Sequence, residues 1–249
     1  MTLLEHIHQY NAELLRFRSL LDEAFAKGAK SSGKTEDRIV FPLLVAARDI
    51  MEEILFEISN GHGRAALRSV RTLYECVVTA HQLHLHPEKM NDFFGMFYVQ
   101  WAKILQNLPS PTATEMHKTI SKHVSKFAQG KPVGLKDLDW SGQHTREMAE
   151  EAGEIAKLHP LAFDYASAYV HPSILFFLSG LTHDPETAQF QVSVKPQDEE
   201  GTCALRASHD LLLNAVALRL EYVPSESVKA QFEQCKQDFN NIWGYPAHI

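Results

Sequence analysis

Apolar residues recur every three or four positions along most of the chain, which is the spacing of one face of an α-helix. Polar stretches rich in glycine or proline separate these segments. The pattern predicts helices over residues 3–25, 38–59, 64–85, 88–106, 112–128, 161–178, 202–222 and 225–240, with a short one after residue 141. The sequence therefore predicts an all-α fold, a bundle of about seven to nine helices.

No internal repeat or low-complexity tract divides the chain, so we expect a single helical domain over residues 1–249. Residues 1–37 are predicted to form an N-terminal helix and loop, which we expect to be an appendage of this domain. Residues 182–201 contain two proline turns and an acidic run, and they predict a surface excursion. The alternation in Phe190-Gln-Val-Ser-Val194 predicts a short β segment near residues 190–195.

Charge and cysteine content narrow the class of protein. The net charge is −7, which argues against a surface built throughout to hold nucleic acid or anionic lipid. The three cysteines are widely spaced and make no metal or redox motif. The N-terminal residues carry no charged-then-apolar leader, and the apolar runs are too short to span a bilayer. We expect a cytoplasmic protein with no membrane partner.

Three arginines and a glutamate form a stripe along the border of the apolar face of the third predicted helix. Their offsets of 0, 4, 7 and 11 residues place Arg64, Arg68, Arg71 and Glu75 in one line. Such a stripe is typical of a solvated ion-pair ladder, of a buried structural network, or of an anion-binding site. The sequence alone leaves these three interpretations open.

A second polar stripe lies in the helix predicted from residue 161. Asp164, Ser167 and His171 fall within an arc of roughly 60° on one helical face, and Pro172 interrupts the helix directly after them. In one interpretation His171 belongs to a catalytic site. In the other, Ser167 and His171 cap the carbonyls that Pro172 leaves free, and Arg71 and Glu75 form a buried pair. A hydrolase triad is disfavoured, because a serine on a plain helix lacks the sharp turn of a nucleophile elbow.

Two other clusters attract attention. His81, His84 and His86 end the third helix, but they do not share one helical face, so we expect no metal and no other cofactor. The next predicted helix is rich in aromatic residues, which favours a core or a dimer surface over a platform for base stacking. Its aromatic residues are Phe93, Phe94, Phe97, Tyr98 and Trp101.

Three motifs together resemble a bacterial family of all-helical proteins of unknown function. They are Arg68-Ser-Val-Arg-Thr-Leu-Tyr-Glu75, Asp139-Trp-Ser-Gly142 and Ser167-x-x-x-His171-Pro-Ser173. The resemblance covers roughly residues 41–220. The arrangement is in turn similar to HEPN-type helical bundles, many of which are dimeric ribonucleases of toxin–antitoxin and phage-defence systems. The resemblance implies a homodimer and a metal-independent ribonuclease or defence effector.

The chain departs from the HEPN motif, in which an arginine precedes the histidine by four to six intervening residues on one helix. No arginine stands at that spacing before His171, so Arg68 or Arg71 would have to supply the cation from another helix. RNA cleavage without a metal needs an acid/base and a cation at the phosphorane.

From these requirements we hypothesise that His171 is the acid/base and that Arg68 and Arg71 bind the phosphate. Glu75 would hold the arginines, and Ser167, Asp164 or Tyr165 would orient the imidazole. The ligand expected from these roles is RNA or a nucleotide. The alternative function is a non-catalytic helical module that binds a protein or a nucleotide.

Overall fold

A computed structural model describes residues 2–25, 37–108, 110–128, 140–170, 181–184, 189–192 and 197–249. Within these ranges the all-α prediction is confirmed. The described helices are α1 Leu3–Gln9, α2 Asn11–Ala24, α3 Asp37–Ser59, α4 Gly63–Leu85, α5 Met90–Gln106, α6 Pro111–Ala128, α7 Thr145–Glu151, α8 Ala166–Val170, α9 Asp198–Tyr222 and α10 Glu226–Trp243. These ten α-helices exceed the predicted seven to nine, partly because the first predicted helix is divided at Tyr10.

Helices α3, α4 and α9 pack against one another and form the centre of the molecule. The predicted apolar face of α4 is fully buried there: Leu67, Val70, Tyr74, Val77 and Val78 are all 0% exposed. Helix α9 is buried on most of its circumference, as expected of a helix surrounded by other helices.

A close approach between α4 and α9 depends on two glycines. A Cβ atom on Gly63 would lie 2.2 Å from the carbonyl oxygen of Gln197 and 2.5 Å from the backbone nitrogen of Gly201. Glycine at this position therefore allows the two backbones to meet. The same junction joins α4 to α9 through polar contacts, since Gln197 accepts a hydrogen bond from the backbone of Arg64.

The two ends of the chain pack into the same core. Helix α2 lies along α10, and Leu3, Phe17, Leu20 and Leu21 are all at most 5% exposed within the main hydrophobic cluster. A buried ion pair joins the start of α3 to the end of α9: Nη1 of Arg219 lies 2.9 Å from Oδ1 of Asp37.

Residues 154–170 form an irregular helical segment that packs along α4. A 3-10 turn over Glu154–Leu158 leads into a π-helical turn over Pro160–Tyr165, and α8 follows. The sequence predicts a regular α-helix from residue 161, whereas the structure has a π-helical turn there. A π-helical turn takes carbonyl groups out of the usual i−4 bonding pattern, and the Ser167 hydroxyl donates a hydrogen bond to the carbonyl of Phe163.

Helices α5 and α6 form a hairpin with a small core of its own. The buried residues of this core are Val99, Ala102 and Val124, separate from the main hydrophobic cluster. The hairpin joins the rest of the molecule through the 3-10 turn over Pro87–Lys89 and through Phe93, which packs edge-on against Trp140 at 5.3 Å between ring centroids.

Strands β1 Leu181–Asp184 and β2 Gln189–Val192 pair antiparallel, with Leu181 opposite Val192. Strand β2 overlaps the region near residues 190–195 in which the sequence predicts a short β segment. Among the helices of the described residues, none is long and apolar enough to cross a membrane.

Candidate functional site

The arginine stripe on α4 divides between three different environments. Arg64 is mostly buried and pairs across to α9, with Nε 3.2 Å from the carboxylate of Glu200. Arg71 pairs along its own helix, with Nε 3.3 Å from Glu75. Arg68 is exposed, and it makes no ion pair with any residue that the structure describes. Arg64 therefore belongs to a network between helices, Arg71 belongs to an ion pair along α4, and Arg68 is a solvent-exposed cation.

Arg71 keeps most of its donor groups available. Its side chain is 25% exposed and that of Glu75 is 42% exposed, so the interpretation of these residues as a buried pair is wrong. Within the described part of the chain, the only hydrogen bond of the guanidinium is the one from Nε to Glu75. The two terminal nitrogens are the pair of donors that an arginine uses to bind a phosphate or a carboxylate.

Phe163 fixes the position of the Arg71 guanidinium. The Cζ atom of Arg71 lies 4.7 Å from the centroid of the Phe163 ring, the distance of a cation–π contact. Phe163 itself stacks on His159, with ring centroids 4.8 Å apart and an interplanar angle of 19°. The π-helical turn that carries Phe163 thus holds an arginine of the neighbouring helix at the surface.

Behind this contact lies a polar chain of three side chains. The hydroxyl of Tyr74 lies 3.1 Å from Nδ1 of His159, and Nε2 of His159 lies 3.5 Å from Oδ1 of Asp164. Tyr74 is fully buried, His159 is 6% exposed, and the Asp164 side chain is 62% exposed. These three side chains therefore form a polar path from the core to the surface.

Burial governs the ionisation of this chain. Desolvation lowers the pKa of His159, against the opposing effect of the Asp164 carboxylate, so the ring is neutral at pH 7. Desolvation also raises the pKa of Tyr74, and the Asp164 charge adds to the rise. The nearby carboxylate favours the proton on Nε2, which leaves Nδ1 to accept the hydrogen bond from the Tyr74 hydroxyl.

The remaining predicted site residues are distributed as follows. Tyr165 lies on the π-helical turn, and its hydroxyl lies 3.0 Å from that of Tyr169. Burial is the main cause of the raised pKa of Tyr165, and this hydrogen bond raises that pKa further. Ser167 bonds the Phe163 carbonyl, as described above. His171, together with Pro172 and Ser173, lies outside the described residues.

The structure thus brings Arg71, Glu75 and Asp164 to adjoining elements, with Arg68 one turn away on α4. We call these four residues, with Tyr74, His159 and Phe163, the α4 site. Sequence reasoning missed His159 and Phe163. The only signal for His159 was a histidine directly before Pro160, at the start of the segment that carries the predicted polar stripe.

The three histidines at the end of α4 do not converge. Nδ1 of His84 lies 2.9 Å from the hydroxyl of Tyr222, and His86 contacts Glu88 and Glu151. His81 is mostly buried, and desolvation lowers its pKa to about 4. In the ranges that the structure describes, no group of three or more metal-ligating side chains is found.

A family profile supplies the relationship of this chain to other proteins. The profile described as a family of unknown function (DUF5677) matches residues 37–187, more than half of the chain. The chain belongs to this family. The match includes the predicted and the newly found residues of the α4 site. Neither the curated proteins nor the solved structures yield a match.

Proposed function

We propose that this protein binds RNA through Arg68 and Arg71 and cleaves it without a metal, as a HEPN-like ribonuclease or defence effector. The observation that carries the proposal is the state of the two arginines: one turn apart on α4, both open to solvent, and one of them held in place by Phe163. Guanidinium groups with unengaged donors suit the two non-bridging oxygens of the phosphorane.

The course of the 154–170 segment supports a role for His171 at this site. His159 contacts Tyr74 of α4. Phe163 follows His159 by four residues, and it contacts Arg71, which precedes Tyr74 by three residues on α4. The segment therefore runs antiparallel to α4, towards its Arg68 end, and His171 is the next residue of the sequence after α8.

In the proposed reaction the ribose 2′-oxygen attacks the phosphorus and the bond from phosphorus to the 5′-oxygen breaks. His171 takes the proton of the 2′-hydroxyl, and the imidazolium that forms donates a proton to the leaving oxygen. The products are a 2′,3′-cyclic phosphate and a 5′-hydroxyl, and neither metal nor oxidant is consumed.

A non-catalytic module that binds RNA, a nucleotide or a protein is the second candidate. It is favoured by the hydrogen bonds of Ser167 and Tyr165, whose hydroxyls contact a backbone carbonyl and a neighbouring tyrosine. Both groups hold their own helical segment together. In this function the arginines bind an anion, and no acid/base is needed.

Cleavage of total RNA in the presence of a chelator separates the two functions. We expect the wild-type protein to cleave and the variants His171→Ala, Arg71→Ala and Arg68→Ala to lose most activity while their thermal unfolding stays unchanged. Arg18→Ala is the matched control, because Arg18 is an exposed arginine of α2 that pairs with Glu52. No cleavage by the wild type, with RNA still bound, would favour the binding module; equal cleavage by all variants would contradict the proposed site.

A further inference from the structure

A stripe of large apolar side chains runs along the solvent face of α5. The five residues, with their exposed fractions, are Phe94 51%, Phe97 52%, Trp101 38%, Ile104 51% and Leu108 48%. The first four lie on α5 and Leu108 follows two residues after its end. We call these five residues the α5 seam.

The spacing of the α5 seam is that of a coiled coil. Successive members are separated by three, four, three and four residues, which is the alternation of positions a and d in a heptad. The opposite side of α5 is already occupied, since Val99 and Ala102 are buried in one cluster with Val124 of α6. Helix α5 therefore has two apolar faces, and only one of them is covered within the described chain.

We propose that the α5 seam is the surface through which two copies of this chain pair. A heptad seam is completed by another helix with the same 3–4 spacing, and a second copy supplies that spacing in a symmetric contact. This inference does not depend on the proposed ribonuclease function, because the α5 seam lies outside the α4 site.

Charge permits the pairing of two identical helices. Asp92 and Lys103 are the charged residues of α5, and neither occupies a position of the seam. The residues that flank it on one side, Gln100 and Asn107, are uncharged. Two copies can therefore meet without the repulsion between like charges that identical charged seams would produce.

The exposed area of the α5 seam approaches that of the smallest specific interfaces. With about 150–250 Å² for each large side chain, half of it exposed, the seam offers roughly 450 Å² per copy and roughly 900 Å² in a symmetric pair. Flanking atoms add to this sum, which brings it close to the lower limit of about 1,000–1,200 Å² for specific interfaces. The hairpin, with three buried residues in its own core, also gains burial that it otherwise lacks.

Sedimentation velocity of the full chain over about 1–100 µM tests the proposal. We expect a mass of about twice 28.2 kDa for the wild type and of 28.2 kDa for the variant that carries Phe97→Glu and Trp101→Glu. The matched control is Phe56→Glu, at an apolar residue of α3 that is 67% exposed, and it should remain dimeric. A monomeric wild type, or a dimer that persists in the double variant, would overturn the proposal.

Two milder single variants keep the proposal testable if the double variant fails to fold. Circular dichroism first compares the helical signal of each protein with that of the wild type. Phe97→Ala and Trp101→Ala remove seam area without adding charge, and each should raise the dimer dissociation constant at least tenfold. A dissociation constant unchanged in both would also contradict pairing through the α5 seam.

Discussion

Tyr74 and His159 show how a buried polar pair fixes the geometry of the α4 site. The hydroxyl of Tyr74 and the ring of His159 satisfy each other in the core, and His159 in turn stacks on the Phe163 ring that carries Arg71. The position of a surface guanidinium is thus set by a hydrogen bond beneath it. His159 is a positioning residue in this arrangement.

Tyr74→Phe is expected to destabilise the protein by about 1–3 kcal/mol, because it leaves Nδ1 of a buried histidine without its partner. Urea denaturation measures the change. Tyr10→Phe is the matched control, since the Tyr10 hydroxyl makes no hydrogen bond to a described residue, and its effect should stay within about 0.5 kcal/mol. Equal stability of Tyr74→Phe and the wild type would show that the Tyr74–His159 contact contributes nothing.

Two further buried histidines predict how stability depends on pH. Burial lowers the pKa of His81 to about 4 and that of His209 to about 3, while an unfolded histidine titrates near 6.5. Below pH 6.5 the unfolded chain binds protons that the folded chain does not. The free energy of unfolding should therefore be highest above pH 6.5 and decrease as the pH falls. At pH 5 the loss should be about 2 kcal/mol for each histidine.

Urea denaturation between pH 7.5 and pH 5 measures this loss. His81→Gln removes one of the two titrating rings, so its stability should fall less steeply with pH than that of the wild type. An identical slope in the two proteins would mean that His81 does not remain neutral in the folded state.

At the scale of elements, hydrophobic periodicity was an accurate guide to the long helices. The third predicted helix, residues 64–85, corresponds to α4 Gly63–Leu85, and the fifth, residues 112–128, to α6 Pro111–Ala128. Periodicity works here because one face of each helix is buried and the other is not. It failed at Tyr10, where the apolar spacing continues across the junction between α1 and α2, and at the π-helical turn, whose extra residue depends on packing against α4.

The junction of α4 with α9 is an element-scale feature that no helical pattern could indicate. Gly63 and Gly201 meet across 138 residues of sequence, and neither has a periodic neighbour that marks it. Only the crossing of the two helices shows why a side chain is excluded there.

Gly63→Ala is expected to cost about 3 kcal/mol, because the added methyl group would overlap backbone atoms of α9 that cannot rotate away. Thermal and urea unfolding measure the loss. Thr72→Ala, at an exposed position of the same helix, is the control for helix propensity and should change stability little. A Gly63→Ala protein as stable as this control would contradict the close approach.

At the scale of the whole molecule, the proposed function would use a small part of the surface of a protein with a negative net charge. The net charge of −7 disfavours general adhesion to nucleic acid, so any RNA contact must come from a local group of cations. Arg68 and Arg71 form such a group, and the predicted stripe pointed to them correctly as neighbours on one helix face. The environment of Arg71 depends on Glu75 and Phe163, of which only Glu75 is near in sequence.

The interaction between distant segments explains what the sequence could and could not predict of the α4 site. Residues on α4 share a face by helical geometry, so Arg68, Arg71 and Glu75 were predictable together. Tyr74 and His159 are 85 residues apart, and their contact follows from the packing of the 154–170 segment on α4. No spacing rule within either segment carries that information.

The binding of RNA to the two arginines is tested most directly by the salt dependence of affinity. A fluorescent single-stranded RNA with 2′-O-methyl groups lacks the attacking hydroxyl, so its anisotropy reports binding alone. For the wild type we expect affinity to fall with salt. In Arg68→Ala and in Arg71→Ala the slope of log affinity against log salt should decrease by about 0.7 for each arginine removed. Arg18→Ala should keep the wild-type slope. The same affinity and slope in all four proteins would contradict the assignment of Arg68 and Arg71 as phosphate ligands.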